Sequence, residues 1–323
     1  MSPYYPLYPP IGQPLTVLSS ADSTNNYAMA QVREGLAGHG AAYFALEQTA
    51  GRGQRGKQWI TEPGQNIMIS IVTTPGEPFI QTPFAFSASI ALACYDFFKT
   101  YGSPDETRIK WPNDLYWQDR KAGGVLIESL VVSHQSSVGR RDRESSDVSR
   151  EAKDLHLDRL QSDQSNVFSE KFHEKQEPLT SDVSRLTPEH SPLTTHYSTD
   201  ATSTTRYVIV GIGININQTS FDPSLKNPVS LKQITGKTWD PIALAKELCE
   251  AVDHRYKQFL LLKPEEIVAD YQSVLYKYGQ TVRLKKDNAS FETTIKGVSN
   301  EGNLLTQDVI ERNFRWGEVE WVV

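Results

Sequence analysis

The chain has 323 residues and a formal net charge of −6 at pH 7, which allows a large core in one or two domains. General nucleic-acid binders are normally basic, so this charge argues against that class. Cys94 and Cys249 lie in apolar, helix-like runs, which favours buried free thiols and a reducing compartment. The start, MSPYYPLYPP, lacks the order of a signal peptide, and no apolar run is long enough to cross a bilayer. We therefore expect a cytoplasmic protein without a membrane or DNA partner.

The predicted elements mix strands and helices without regular alternation. Strands are predicted at 15–20, 41–49, 66–74 and 206–217, with a strand–turn–strand unit at 107–132. Helices are predicted at 21–37, 83–102, 240–262 and 264–277, the first capped by Asp22, Ser23 and Thr24. Because several strands follow one another directly, the pattern favours an α+β fold over a doubly wound parallel sheet. Short strands from Gly279 onward predict a small β-barrel or sheet module.

Residues 133–205 differ in composition from the rest of the chain. They hold 22 Ser and Thr, and SDVSR occurs at both 146–150 and 181–185. Such a segment buries too little apolar surface to offset the entropy of ordering, so we predict a long disordered loop between two neighbouring strands. It contains five of the seven histidines, but their scattered spacing and the absence of a nearby cysteine do not favour a metal site.

The glycine-rich stretch GRGQRGKQW (51–59) fits two phosphate-binding patterns, G-x-G-x-x-G and G-x-x-x-x-G-K. Both patterns need a helix after the loop, whereas ITEPGQNIMISIVTT follows Trp59 and predicts a strand. We therefore interpret the stretch as a loop between strands whose Arg52, Arg55 and Lys57 could surround an anion. The alternative is a basic surface hairpin.

Two further motifs fall at strand ends. KWPNDLYWQDRKAGG (110–124) groups two lysines and an aspartate around a turn, although Asn-Asp after Pro is also ordinary turn chemistry. GIGININ (211–217) places glycines at the end of an apolar strand, which indicates a close approach to the backbone by a ligand or by a packed strand. Three such loops together predict one ligand cleft.

These three motifs, in this order, resemble those of the biotin–protein ligases, and DSTNNY (22–27) is similar to that family's biotin-binding S-T-N. The resemblance implies a class II synthetase-like, mixed-sheet catalytic domain at 1–276, interrupted by the 133–205 insertion. It also implies a C-terminal SH3-like barrel at 277–323. Only about 14 residues precede the first predicted strand, so the DNA-binding domain of some bacterial members is expected to be absent. The insertion is a departure from the family and is expected to be dispensable for activity.

The resemblance also implies roles for individual residues. It implies biotin binding by Ser23, Thr24, Asn25, Gln48, Gly51, Arg52, Gly53, Gln54, Lys121, Gly124, Gly211 and Gly213. It implies ATP binding by Arg55, Lys57, Trp59, Lys110, Asn113 and Asn215. The expected catalytic set is Arg52, Arg55, Lys57, Lys110, Asp114 and Lys121. Gln54 departs from the family, because many relatives have arginine there, and this leaves retention of the charged intermediate open.

The implied reaction has two steps. Biotin's carboxylate attacks the α-phosphate of ATP and gives biotinyl-5′-AMP and pyrophosphate, with Mg²⁺ as cofactor and no metal site fixed by the protein alone. A lysine of a biotin carboxyl-carrier domain then attacks the acyl-adenylate, and AMP leaves. A lipoate–protein ligase and a non-catalytic biotin sensor remain as alternatives, and a DNA-binding repressor is a third. The sequence leaves open whether the protein is a monomer or a homodimer.

Overall fold

The computed structural model describes residues 8–134 and 203–322. The strands are β1 (Leu15–Leu18), β2 (Ala42–Ala45), β3 (Ile67–Thr73), β4 (Thr107–Lys110), β5 (Asp114–Trp117), β6 (Arg120–His134), β7 (Ser203–Ile214), β8 (Thr281–Lys286), β9 (Ala289–Val298), β10 (Leu304–Gln307), β11 (Glu311–Phe314) and β12 (Glu320–Trp321). The helices are α1 (Thr24–Arg33), α2 (Glu77–Gln81), α3 (Pro83–Gly102), α4 (Leu231–Thr235), α5 (Pro241–Leu261) and α6 (Pro264–Ser273). No helix within the described ranges is both long and apolar enough to cross a membrane.

The first seven strands form one sheet in the order β1-β2-β3-β7-β6-β5-β4. The β1–β2 pair is parallel, and every other neighbouring pair in this sheet is antiparallel. The sheet is therefore mixed, as the irregular succession of strands predicted. The fold class, α+β with a mixed catalytic-type sheet, is confirmed.

Strands β6 and β7 form the long central pair of the sheet. Their register runs from Gly123 opposite Ile214 to His134 opposite Ser203. The strands before and after the predicted insertion are therefore neighbours in the sheet, and the insertion itself stays a prediction. The predicted disorder concerns residues that lie outside the described part of the chain.

The two faces of the sheet are covered differently, because side chains alternate along each strand. Ile69 and Ile71 of β3 lie in the main core with residues of α3 and α5, whereas Val72 lies in a second cluster with Ala28 and Val32 of α1. Within the described residues, the second face is covered by one ten-residue helix, α1. Beyond the start of α1, this face borders a cavity.

The predicted thiol state agrees with the structure. Cys94 on α3 and Cys249 on α5 are both buried and free. Burial raises the pKa of each thiol to about 12, so neither is a reactive thiolate at neutral pH.

The C-terminal strands form a separate five-stranded antiparallel sheet in the order β11-β10-β9-β8-β12. This agrees with the small β module expected from Gly279 onward. The domain boundary at 276/277 stays a prediction.

Two local predictions were wrong. Residues 107–132 form three strands with two turns, because residues 118–119 reverse the chain a second time. Helix α1 is not capped by its own polar residues, since the Ser23 side chain makes no capping hydrogen bond. Instead, the backbone N–H of Thr24 donates to Oε1 of Gln48 at 2.8 Å. A free backbone donor at the helix start is thus hydrogen-bonded by a residue that precedes the glycine-rich loop.

Candidate functional site

A cavity of about 700 Å³ lies on the face of the large sheet beyond the start of α1. The sheet supplies Met68 of β3, Gly211 and Gly213 of β7, and Gly124 and Leu126 of β6 to its lining. These residues face one another across the ladder, with Gly213 between Met68 and Gly124. Residues directly opposite in an antiparallel pair share a face, so the sheet forms the floor of the cavity.

Glycine is required at two positions of this floor. A Cβ on Gly211 would collide with Oδ1 of Asn25, and a Cβ on Gly213 would lie 2.5 Å from Cε2 of Trp59. The sequence left open whether a ligand or packed protein approaches these glycines. In the structure, both contacts are protein side chains that themselves line the cavity.

A hydrogen-bond network of neutral side chains forms one end of the cavity. Both the N–H and Oγ1 of Thr24 contact Oε1 of Gln48, at 2.8 and 3.2 Å. Oγ of Ser70 lies 2.7 Å from Oγ1 of Thr24 and 2.5 Å from Oδ1 of Asn25. Because these side chains fix one another, their remaining donors and acceptors are held in place for a polar ligand.

The network continues to a carboxylate and a guanidinium. Nδ2 of Asn25 donates to Oε2 of Glu128 at 2.7 Å, and Nη2 of Arg52 lies 2.5 Å from the same oxygen. Arg52 belongs to the glycine-rich loop, so this ion pair joins that loop to strand β6. It also brings a positive charge to the boundary of the neutral end.

The glycine-rich loop is a hairpin that covers the cavity. Arg52 pairs with Gln58 in an antiparallel bridge, and the N–H of Gly53 donates to the carbonyl of Lys57 at 2.7 Å. Between them, a single 3₁₀ turn places Arg55 at φ +56°, so no α-helix follows the glycines. The predicted failure of both nucleotide fingerprints is therefore confirmed, and Nε2 of Gln54 ties the hairpin to the Val125 carbonyl at 2.9 Å.

The opposite end of the cavity is cationic. Nζ of Lys121 lies 2.6 Å from Oδ1 of Asp114, which comes from the neighbouring strand. The backbone of Lys121 also bonds to Asn227 and Val229, and its carbonyl accepts a 3.4 Å contact from Nδ2 of Asn215. The lysine is thus held at both its backbone and its ammonium group.

Lys110 is the most buried cation of this end, with 9% of its surface exposed. Its ammonium donates to the Tyr116 hydroxyl at 3.1 Å and lies 5.1 Å from the ring centroid of Trp321. The pKa of Lys110 is lowered to about 8, mainly by burial, with smaller contributions from the positive charges of Lys121, Lys226 and Lys57, while Asp114 acts in the opposite direction.

The structure brings together most of the residues predicted for the site. The predicted residues that line the cavity are Ser23, Thr24, Asn25, Gln48, Arg52, Gly53, Gln54, Arg55, Lys57, Trp59, Lys110, Asp114, Lys121, Gly124, Gly211, Gly213 and Asn215. Gly51 and Asn113 lie outside the lining. A Cβ on Gly51 would collide with the Trp59 carbonyl, and Nδ2 of buried Asn113 donates to the Val125 carbonyl at 2.9 Å. These contacts are within the protein, and the ligand-binding roles of Gly51 and Asn113 stay predictions.

Sequence reasoning missed several residues. Ser70 and Glu128 complete the polar network, and Lys226 and Trp321 line the cationic end. Glu128 could have been found from the sequence, because a glutamate at the end of the apolar run GGVLIE is unusual for a buried strand. Ser70 and Trp321 gave no such signal, because their role depends on which strands become neighbours.

The described residues contain no group of three or more His, Cys, Asp or Glu side chains suited to hold a metal ion. At the cationic end, the carboxylate of Asp114 is in direct contact with Lys121. Mg²⁺ commonly binds through one or two carboxylates together with substrate phosphates. Asp114 and nucleotide oxygens would fit that pattern.

The fold is an α+β fold of the type found in biotin protein ligases. The biotin protein ligase from Aquifex aeolicus in complex with biotin and ATP has a TM-score of 0.61 at 21% sequence identity. That match covers 95% of this chain and 97% of the other, and it shows the fold.

Residues 17–139 match the sequence model of the Biotin/lipoate A/B protein ligase family. This segment of the chain is therefore similar in sequence to that family. It is 37% identical over 117 residues to the Bifunctional ligase/repressor BirA of Escherichia coli (strain K12), covering 36% of this chain and 35% of that one. It is 35% identical over 114 residues to the Biotin–[acetyl-CoA-carboxylase] ligase of Paracoccus denitrificans, covering 35% and 46%. The matched part thus spans less than half the length of either relative.

Proposed function

We propose that this protein is an ATP-dependent ligase that activates biotin as biotinyl-5′-AMP and transfers it to a lysine of a biotin carboxyl-carrier domain. The observation that carries the proposal is one cavity with two chemically different ends. A neutral hydrogen-bond network at Thr24, Asn25 and Ser70 lies at one end, and the lysines of β4 and β6 lie at the other. The relatives named above are a bifunctional ligase/repressor and a biotin–[acetyl-CoA-carboxylase] ligase.

The neutral end suits the ring system of biotin. A ureido group has N–H donors and a carbonyl acceptor in one plane, and a cavity recognises such a ligand through a few fixed polar groups beside apolar surface. The hydroxyl of Thr24 and the amide of Asn25 supply the polar groups, both held by the buried hydroxyl of Ser70. Met68 and Trp59 supply apolar surface. The valeryl chain would then run over the glycine floor.

The cationic end suits the first chemical step. Biotin's carboxylate must approach the α-phosphate of ATP, and positive charge offsets the repulsion between these anions. Lys121, Lys110 and Lys57 line this end, and Arg55 lies in the covering hairpin. A carboxylate is already a nucleophile at neutral pH, so the residues need to position and stabilise rather than deprotonate.

The second step uses Asp114. Its carboxylate is paired with Lys121 in the structure. When phosphate and carboxylate oxygens of the adenylate attract the Lys121 ammonium, Asp114 becomes available to an incoming ammonium. The amine must lose a proton before it attacks, because a free lysine has a pKa near ~10.4. Asp114 would orient the amine and accept that proton, and the amine would then attack the acyl carbonyl and release AMP.

Mg²⁺ would enter with the nucleotide and neutralise phosphate charge. We also propose that the reaction takes place in the cytoplasm with the carrier domain as protein substrate. The covering hairpin would shield the adenylate from water during the interval between the two steps.

The test of the first step is ATP–pyrophosphate exchange by the full chain. Exchange that depends on biotin and not on lipoate supports the proposal. Lipoate-dependent exchange would favour a lipoate ligase, which the same family includes. Biotin that raises the melting temperature without any exchange would indicate a non-catalytic sensor.

A further inference from the structure

Glu128 lies beside the cavity and holds two residues that line it. It is on β6 directly opposite Ile209 of β7. A single oxygen, Oε2, accepts from Asn25 at 2.7 Å and from Arg52 at 2.5 Å. Asn25 follows the start of α1, and Arg52 begins the covering hairpin. One carboxylate therefore joins the sheet, the helix and the hairpin.

The geometry leaves most of the guanidinium free. Only Nη2 of Arg52 contacts Glu128, and the other donors of that side chain make no hydrogen bond within residues 8–134 and 203–322. An arginine fork has five N–H donors in one plane. Glu128 can thus fix the plane of the guanidinium while Nε and Nη1 remain available to a ligand.

The ion pair also distinguishes Arg52 from the other cations of the hairpin. Among the described residues, Arg55 and Lys57 form no ion pair, whereas Arg52 does. The hairpin's other side-chain attachment to β6 is the neutral hydrogen bond from Gln54 to the Val125 carbonyl. Loss of Glu128 would leave the hairpin joined to β6 at that point without its charged attachment.

We propose that Glu128 is a positioning residue that orients the Arg52 guanidinium toward the cavity and attaches the covering hairpin to β6. Its effect on biotin rests on the proposed function, but its effect on the hairpin does not. The two can therefore be tested separately.

The first experiment follows trypsin cleavage of the ligand-free full chain at the bonds after Arg52, Arg55 and Lys57, resolved by mass spectrometry. Glu128→Gln keeps the size and an acceptor for Asn25 but removes the charge. We expect cleavage in the hairpin to be about two- to fivefold faster, the range for loss of a part-exposed ion pair. The matched control is Glu292→Gln, which removes a surface carboxylate paired with Arg283 at 3.8 Å and should leave hairpin cleavage unchanged. Unchanged cleavage in Glu128→Gln would overturn the proposal.

The second experiment measures biotin-dependent exchange in a double-mutant cycle with Arg52→Ala. If Glu128 acts through Arg52, Glu128→Gln should raise the KM for biotin about threefold with little change in kcat, and should add nothing in the Arg52→Ala background. Equal effects in both backgrounds, or a fall in kcat alone that follows a lower melting temperature, would contradict a positioning role. Should wild-type protein show no biotin-dependent exchange, the proposed function fails, and the cleavage result alone decides the role of Glu128.

Discussion

The ammonium of Lys110 lies 5.1 Å from the ring centroid of Trp321, so the end of β4 meets the last strand of the C-terminal sheet at the cavity. The ring of Tyr116 lies on the ammonium as well, at 4.8 Å. Two aromatic faces stabilise the cation through their quadrupoles, while burial disfavours its charge. The cationic end is thus completed by a strand about 210 residues further along the chain.

We predict that this buried lysine gives the reaction a pH limit. Lys110 has its pKa lowered to about 8, so its charge is present below pH 8 and is lost as the pH rises through that value. Anion binding should weaken with it. We therefore expect kcat/KM for ATP to fall above about pH 8 in the wild type. This fall should be absent from the pH profile of Lys110→Met. If the fall above pH 8 persisted in Lys110→Met, another titrating group would be its cause.

Stability has the opposite pH dependence. The folded pKa of Lys110 lies below the ordinary value of 10.5, so the unfolded chain binds more protons between these two values, and stability rises with pH there. Below pH 8, Lys110 is charged in both the folded and the unfolded state, so the free energy of unfolding is reduced by the full cost of burying that charge.

A second prediction concerns the pair Lys121 and Asp114. Lys121→Ala removes the cation held 2.6 Å from Asp114 and should slow adenylate formation by about 10²-fold, the size found when one group that stabilises developing charge is removed. Asp114→Asn should slow transfer to the carrier lysine more than it slows pyrophosphate exchange. Wild-type rates of both steps in Lys121→Ala would show that the assignment of this lysine is wrong.

Several parts of the fold could be predicted from sequence. Helix α3 has the bounds that its apolar pattern and terminal Gly102 indicated, and the strands on either side of the glycine-rich loop were predicted from local composition. The contact of Ser70 with Asn25 could not be predicted, because it depends on α1 packing across β3. The Gln48 side chain that caps α1 belongs to a segment about 24 residues away, so local capping rules favoured Ser23 instead.

The floor glycines give a third prediction with an internal control. Gly211→Ala would force its Cβ against Oδ1 of Asn25 and displace the amide from the polar network. We expect a loss of biotin affinity of about tenfold or more, as for loss of a well-made hydrogen bond to a buried group, measured by calorimetry. A Cβ on Gly38 would have no heavy atom within 4 Å, so Gly38→Ala should bind as the wild type does. Equal affinities for the two variants would contradict the described geometry.

A fourth prediction concerns Gln54, where many family members have arginine. In this chain its amide donates to the Val125 carbonyl and ties the hairpin to β6. An arginine can make the same bond and add a positive charge near the adenylate, so Gln54→Arg should slow escape of the intermediate. Gln54→Leu removes the tie without adding charge and should speed escape. The release rate of labelled biotinyl-5′-AMP measures both effects. Unchanged rates in both variants would show that Gln54 does not affect retention of the intermediate.

The central claim is that this cavity performs both activation and transfer of biotin. The direct measurement incubates the full chain with labelled biotin, ATP, Mg²⁺ and a biotin carboxyl-carrier domain, and follows pyrophosphate and carrier labelling together. We predict stoichiometric labelling of the carrier's acceptor lysine that requires ATP, with one pyrophosphate released per label and no label on a Lys→Arg carrier. If biotin bound but no pyrophosphate were released and the carrier stayed unlabelled, the claim would be contradicted.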